Sequence, residues 1–423
     1  MTGTPFGLAA VLPFALCLLA IALLPVLARR WWLSLRRKAI VMTALSIPIA
    51  LLLLRFDPQR LALTVHDYVS FIVFLGSLYV ISGGILLTGD LRATPAVNAA
   101  FLVVGAVLSN LIGTTGASML LIRPLLRTND ERMHTSHIPI FFIFLVSNIG
   151  GLLTPLGPPL FLGFIRGVPF AWTLRLWPQW LFAVAALTIV FLAIDTVMFR
   201  REPRHARLLD LERVTPLHLT GGWNFLPLGG VIALVMFIPS PWREGGMVLL
   251  SILSWFVTPR GVHSRNHFTT RPLEEIAILF LGIFLTMAPA LAILEARGGA
   301  IPLTKSWHFF WATGVLSSFL DNAPTYLTFS SVAMGIFHIS GEGARAFLPL
   351  LQDPRGEMIL RAISTGAVFM GANTYIGNGP NFMVKAICED RGHRMPTFLG
   401  YMAWSMGILI PLFIAITLLF FRG

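Results

Sequence analysis

From Phe6 to Phe420 the chain alternates apolar runs, most of them near twenty residues long, with short loops that carry its arginines. Few folds tolerate that pattern. Backbone polar groups in hydrocarbon must be satisfied within the segment, and a helix about twenty residues long does this while crossing the bilayer. With 56% hydrophobic and 12% charged residues and a mean hydropathy of +0.78, the 423 residues carry more apolar surface than a soluble fold could bury. The class expected is an all-α polytopic membrane protein. The net charge of +12 is spread through short loops and reads as a topology signal, so no nucleic-acid partner is expected. Cys17 and Cys388 lie in apolar runs and read as buried thiols. The run 6–28 lacks a basic leader and a small-residue cleavage site before Arg29, so it reads as the first span.

Ten runs suit spans: 6–28, 39–54, 68–88, 138–165, 177–198, 224–240, 245–258, 274–294, 357–388 and 397–420. Two further stretches, 95–127 and 305–337, are interrupted by polar and helix-breaking residues, Ser109 to Thr115 in one and Ser317 to Thr325 in the other. Each half is near a dozen residues, too short to cross alone, so both read as re-entrant hairpins. The longest basic loop, Arg200 to Arg213, belongs in the cytoplasm, which puts the N-terminus outside. That assignment leaves 18 basic residues inside against 11 outside.

Dividing the chain in this loop gives a first repeat over 1–217, with its hairpin at 95–127 and a broken helix at 138–165. A second repeat covers 218–423, with its hairpin at 305–337 and a broken helix at 357–388. Five spans per half is an odd number, so the second half enters the membrane inverted. Phe74-Leu-Gly76 and Phe280-Leu-Gly282 precede the two hairpins, with Asn110 and Asn322 expected at their tips. After each hairpin comes a helix broken by Asn and then Gly-Pro: Ser147-Asn148 to Gly157-Pro158, and Asn373 to Gly379-Pro380. Proline removes a backbone donor and glycine frees the chain, and matched breaks in two halves point to a transporter's binding site.

At such breaks the carbonyl end of the first half-helix suits a cation and the N–H end of the second suits an anion. Ser109, Asn110, Thr114, Thr115, Ser147, Asn148, Asn322, Thr325, Asn373, Thr374 and Asn378 are candidate ligands, each of them equally suited to interhelical hydrogen bonding. Asp321 is the one acidic residue at a hairpin tip, and an intramembrane carboxylate implies function. Proton and metal ion would compete for it, which suffices for exchange. Asp321, Asn110 and Asn322 are the expected ligands of a transient, transported cation. Asp195 near Arg200 and Arg201, and Glu274 with Glu275, read as interfacial charges. Lys385 reads either as a counter-charge to Asp321 or as a snorkelling side chain, Arg123 as snorkelling, and His308 as interfacial packing beside Trp307.

Ser147 to Gly157 (Ser-Asn-x-Gly-Gly-x-x-Thr-Pro-x-Gly) and Leu320 to Thr325 (Leu-Asp-Asn-x-Pro-Thr) resemble the ion transporter superfamily. Within it the likeness is to NhaD-type sodium/proton antiporters and to the citrate transporters often grouped with them; the Asp321 segment is also similar to arsenite permeases. The resemblance implies a scaffold and a mobile transport part in each half, elevator-like movement, often a homodimer, and sites at Asn110, Ser147, Asn148, Asp321, Asn322 and Asn373. Two departures stand out. Pro158 follows Gly157 where antiporters carry Asp, and neither hairpin carries the Ser-Asn-Thr of dicarboxylate transporters.

The leading expectation is a sodium (cation)/proton antiporter working by alternating access in a cell membrane, the inner one of a prokaryote. The alternative is a cation-coupled citrate or dicarboxylate symporter, with arsenite transport a lesser one. Asp321 beside an anion would oppose binding unless a cation masks it, and no basic residue stands at either tip. No enzyme chemistry is expected, since the histidines fall mainly in loops and no nucleophile clusters with a base. No cofactor is expected beyond transported sodium and protons; the expected partners are lipids, a small inorganic cation or organic anion, and a second copy of the chain.

Overall fold

The computed structural model describes residues 6–212, 214–339 and 343–422; Arg213, one of the basic loop residues, lies outside them. The protein is an all-α polytopic membrane protein. Among the described residues, seven helical stretches are long and apolar enough to cross a membrane. The only β-structure among the described residues is a two-stranded antiparallel ribbon, Leu86–Asp90 with Thr215–Thr220. The sequence reading did not include this ribbon. The third helix, Pro58–Gly83, begins and ends earlier than the expected span 68–88, and the ribbon ties the stretch after it to the segment joining the two halves.

One order of elements occurs twice. Leu12–Leu27, Leu35–Phe56 and Pro58–Gly83 lead to Pro95–Thr128, the interrupted helix from His137 to Ile165, and Trp177–Arg200. Phe225–Phe237, Trp242–Val257 and Arg271–Arg297 lead to Ser306–Ser317 with Asn322–Ile336, the interrupted helix from Pro354 to Asp390, and Phe398–Phe420. The halves are interleaved. Arg271–Arg297 packs on Leu35–Phe56, and its counterpart Pro58–Gly83 packs on Trp242–Val257. Likewise Asn322–Ile336 packs on Pro158–Ile165, and Pro95–Thr128 packs on Gly379–Asp390. Gly163 makes the first of these contacts possible, since a Cβ there would come within 2.3 Å of the Tyr326 hydroxyl.

Phe225–Phe237 and Trp242–Val257 are shorter than the spans expected at 224–240 and 245–258: 13 and 16 residues, with Pro239 and Pro241 between them. At 1.5 Å per residue they are about 20 and 24 Å long, less than the ~30 Å of a hydrocarbon core.

Pro95–Thr128 comprises two helical arms joined at Gly113, and it folds back on itself. Straight, its 34 residues would extend about 50 Å. Instead Asn98 and Asn129, at opposite ends, exchange two amide hydrogen bonds of 2.9 and 2.8 Å. The reversal occurs at one residue, Gly113, with φ 72° and ψ 159°, a conformation open essentially to glycine alone. The second hairpin turns over Ser318 to Asp321 between its two helices. Both are the re-entrant hairpins expected from sequence.

The ends of these elements are capped in the ordinary way. Thr94 Oγ1 accepts from the Val97 N–H ahead of Pro95, and Asp353 accepts from Arg355 and Gly356 ahead of Pro354. At the mouth of the first hairpin, Asp195 is fully buried rather than interfacial. Arg132 Nη2 (2.5 Å) and Asn98 Nδ2 (3.0 Å) donate to it, and His137 Nε2 lies at 2.9 Å. The cation that bonds it, Arg132, comes from the loop after the hairpin, 63 positions away in sequence. Lys38, also buried, pairs with Glu275 across the two halves, while Glu274 takes a hydrogen bond from Thr270.

Gly113→Ala forces a Cβ into a conformation it cannot relax and is expected to cost about 1–3 kcal/mol. A lowered unfolding temperature in detergent checks this. Gly245→Ala, in an open helical position with nothing within 4 Å, should leave it unchanged or raised.

Candidate functional site

The four interruptions meet. A cavity of about 60 Å³ is lined by Gly113 to Gly116 of the first hairpin and Leu156 and Pro158 of the first broken helix. Asp321 of the second hairpin and Asn378 to Pro380 of the second broken helix complete that lining. Leu75, Leu78 and Phe280, from the third helix of each half, supply an apolar wall. At ~10–15 Å³ per water position the volume holds a few waters or one partly hydrated ion.

Local sequence dictates each interruption. Proline in the first turn, with glycine before it, ends the first half-helix and starts the second, so that Pro158–Ile165 is capped at Gly157 and Gly379–Asp390 at Asn378. Asn322–Ile336 begins at Asp321, whose carboxylate Oδ1 accepts from the Ala323 N–H at 3.1 Å and whose carbonyl accepts from Thr325 Oγ1 at 3.0 Å. The second arm of the first hairpin begins at Thr114, after the Gly113 reversal. Four helix N-termini therefore start at one cavity, each with about half a positive charge, opposed by a single formal charge, that of Asp321. Among the described residues, no basic side chain forms an ion pair with Asp321. Thr114 Oγ1 is buried at the cavity without a hydrogen-bond partner.

The two broken helices are bonded to each other directly. Asn148 Nδ2 donates to Asn381 Oδ1 (2.7 Å) and to the Ile143 carbonyl (2.8 Å). Asn378 Nδ2 donates to Asn148 Oδ1 (3.1 Å) and to the Ser147 carbonyl (2.9 Å). Asn381 Nδ2 in turn donates to the Gly371 and Thr374 carbonyls, each at 2.8 Å. These amides satisfy backbone carbonyls that the breaks release, and all three residues are buried.

The remaining candidates divide by what they touch. Thr114, Thr115, Asp321 and Asn378 line the cavity. Ser109 and Asn110 do not stand at the hairpin tip. They end its first arm and turn toward the first break: Ser109 Oγ donates to the Val146 carbonyl (2.7 Å), and Asn110 Oδ1 accepts from the Leu153 N–H (2.8 Å). Asn322 is likewise engaged by the second break. Its amide nitrogen, turned to suit its neighbours, donates to the Gly377 carbonyl at 2.9 Å. Ser147 meets Ser118 at 2.8 Å, Asn373 donates to Ser318 Oγ at 2.9 Å, and Thr374 Oγ1 donates to the Ser318 carbonyl. Of the three expected cation ligands, Asp321 alone lines the cavity, because the amides of Asn110 and Asn322 are consumed in holding the tips to the breaks. Lys385 is no counter-charge to Asp321; it lies 4.7 Å over the Tyr375 ring and 3.6 Å from Glu389. His308 packs on Trp307 with ring centroids 4.0 Å apart, as expected.

The sequence profile of the family described as "Putative citrate transport" matches residues 3–421 of the 423. The chain belongs to this family. No curated protein is significantly similar to it. Membership in the citrate-transport family covers nearly the full length, both hairpins and both breaks included, and agrees with the ion transporter superfamily resemblance. Three residues that hold this family member's site together were outside the candidate set: Ser317, Ser318 and Asn381. The signal for Asn381 was present in Gly379-Pro380-Asn381, where an amide immediately follows a helix break.

Replacing Asn148 with Ala leaves the Asn378 and Asn381 amides buried and underbonded. The expected loss is about 1–3 kcal/mol in unfolding free energy or a matching fall in unfolding temperature. Ser251→Ala, whose hydroxyl serves only the Met247 carbonyl one turn back, is the comparison expected to be near neutral.

Proposed function

We propose that the protein is a secondary active transporter that moves a small organic polycarboxylate of the citrate class together with a cation, Asp321 carrying the coupling ion. The observation behind this reading is the convergence of four helix N-termini on one cavity whose only formal charge is a carboxylate. About two positive charges' worth of helix dipole favours an anion, provided that a cation or proton neutralises Asp321. The family description is consistent with citrate as cargo. At about 60 Å³ the cavity is too small for citrate, since ligand pockets run to roughly 300 Å³ and more. The hairpins must part to admit it. Under this reading residues 1–217 and 218–423 are inverted repeats, with Arg200 and Arg201 facing the cytoplasm of a prokaryotic cell and the N-terminus outside.

A second reading, sodium/proton antiport, is supported by Asp321 itself. It has no basic partner, faces a volume of ionic size, and has the Thr114 hydroxyl on the same cavity. In that case the ions would compete for one carboxylate and no organic substrate would be needed.

Proteoliposomes separate the two. Labelled citrate is expected to accumulate when an inward sodium or proton gradient is imposed, and Asp321→Asn is expected to abolish the dependence on the gradient, with uptake reduced at least about tenfold. If sodium collapses an imposed pH gradient while citrate is neither taken up nor required, the antiport reading replaces the first.

A further inference from the structure

A second cavity, about 450 Å³, lies along the second arm of the first hairpin and differs in character from the one at the tips. Four arginines line it. Arg123 and Arg127 come from the arm, one turn apart and hence on one face; Arg265 comes from the loop before Arg271–Arg297, and Arg391 from the end of the second broken helix. His267 stands beside them, and no carboxylate is in the lining. At 1.5 Å per residue, Arg123 is about 12 Å along the arm from Thr115 of the tip cavity.

The arginines are not there to pair with acids. Among the described residues, none of Arg123, Arg265 and Arg391 has an ion-pair partner. Of the acids in their neighbourhood, Glu389 is engaged by Lys385 at 3.6 Å and Asp130 by His393 at 3.2 Å, while Asp90 beside Arg127 and Asp390 beside Arg123 attract these arginines without forming an ion pair with them. Arg123 and Arg391 repel each other, offset in part by Asp390. One terminal nitrogen of Arg123, Nη1, is buried without any hydrogen-bond partner, which is costly unless something supplies an acceptor. The loop that carries Arg265 and His267 is held firmly. Asn266 Nδ2 donates to the carbonyls of Gly83 (2.9 Å) and Ile85 (3.1 Å), and His267 adopts a positive φ of 49°. Four like charges are thus held around a space large enough for a small ligand.

We propose that this cavity is a binding site for a compact multivalent oxyanion, several carboxylate or phosphate oxygens within one small group, bound by Arg123, Arg127, Arg265 and Arg391. Planar guanidinium groups from three segments match such a ligand, since each offers paired donors to two oxygens. Lysines or a solvated loop would not leave a donor buried and unmet. The loop charges assign this side to the cytoplasm, where the ligand is either a free polyanion or the headgroup of an anionic lipid. The inference does not depend on what the tip cavity transports, because the arginines are separate from Asp321.

The full-length protein in a neutral detergent is titrated with citrate, with inorganic pyrophosphate and with short-chain phosphatidic acid, whose phosphomonoester is multivalent, at constant ionic strength, while its unfolding temperature is followed. At least one of the three is expected to raise that temperature saturably. The apparent affinity should fall about tenfold or more in Arg123→Gln/Arg391→Gln, as loss of charge-assisted hydrogen bonds predicts. Arg265→Gln, at an exposed loop position, should weaken it as well and guards against a double variant that folds poorly. Asp321→Asn should retain the response, whether or not it transports. Saturation by citrate or pyrophosphate identifies a free polyanion, and saturation by the lipid alone a headgroup; both support the site. No saturable effect from any of the three, or one unchanged in the arginine variants, overturns it.

Discussion

The fold depends on how an apolar medium deals with backbone groups released where a helix is broken. A break in hydrocarbon strands carbonyls and N–H groups that water cannot reach, so each must find a partner inside the protein. Here the partners are side-chain amides: Asn148 serves the Ile143 carbonyl and Asn381 those of Gly371 and Thr374 within their own broken helices, and Asn378 reaches across to the Ser147 carbonyl. Asn148 also holds Asn381, and Asn378 holds Asn148, so the two breaks are bonded into one network. The hairpins depend on the breaks in turn, through Asn110 to Leu153 and Asn322 to Gly377. Four interruptions that would each be unfavourable alone are stable as a set.

Mutual satisfaction has an electrostatic consequence. Once the broken carbonyl ends are tied up by amides, the N–H ends of four helices remain directed at a common cavity, with Asp321 and the free hydroxyl of Thr114. The site is therefore neither simply cationic nor simply anionic. Its potential is set by the protonation or ion occupancy of one carboxylate against the fixed helix dipoles, which is a means of coupling a cation to an anion. The arginine cavity along the hairpin arm places formal positive charge about 12 Å from the site, where solvent screens the exposed Arg265 and Arg391 more than the partly buried Arg123.

Structural and functional roles are divided among residues that look alike in sequence. Ser109, Asn110, Asn322 and Asn373 belong to the interruptions as much as Thr114 and Asn378 do, yet their polar atoms face the neighbouring segment rather than the cavity. Asp195 gives the converse case, a carboxylate expected at an interface that is fully buried because Arg132 and His137 close over it at the hairpin mouth. Such assignments follow from which side of a helix faces which neighbour, and a one-dimensional reading has no access to that.

By itself the sequence determined the class of fold, the positions of both hairpins and both broken helices, and Asp321 as the one acidic residue at a hairpin tip; that Lys385 is no counter-charge to it was decided by the tertiary structure. Hydrophobic run length and the Gly-Pro breaks are local properties, enforced by the bilayer whatever the tertiary arrangement. The reversal was legible to within a few residues, since Gly113 lies inside the polar run of the first hairpin. Only the tertiary structure decided that the tips and breaks meet at one cavity, that Asn381 joins the halves, and that Arg123, Arg127, Arg265 and Arg391 enclose a second one. Those contacts link residues up to 268 positions apart, Arg123 and Arg391 among them. Such pairs are chosen by the packing of whole helices, to which no single stretch of sequence holds the key.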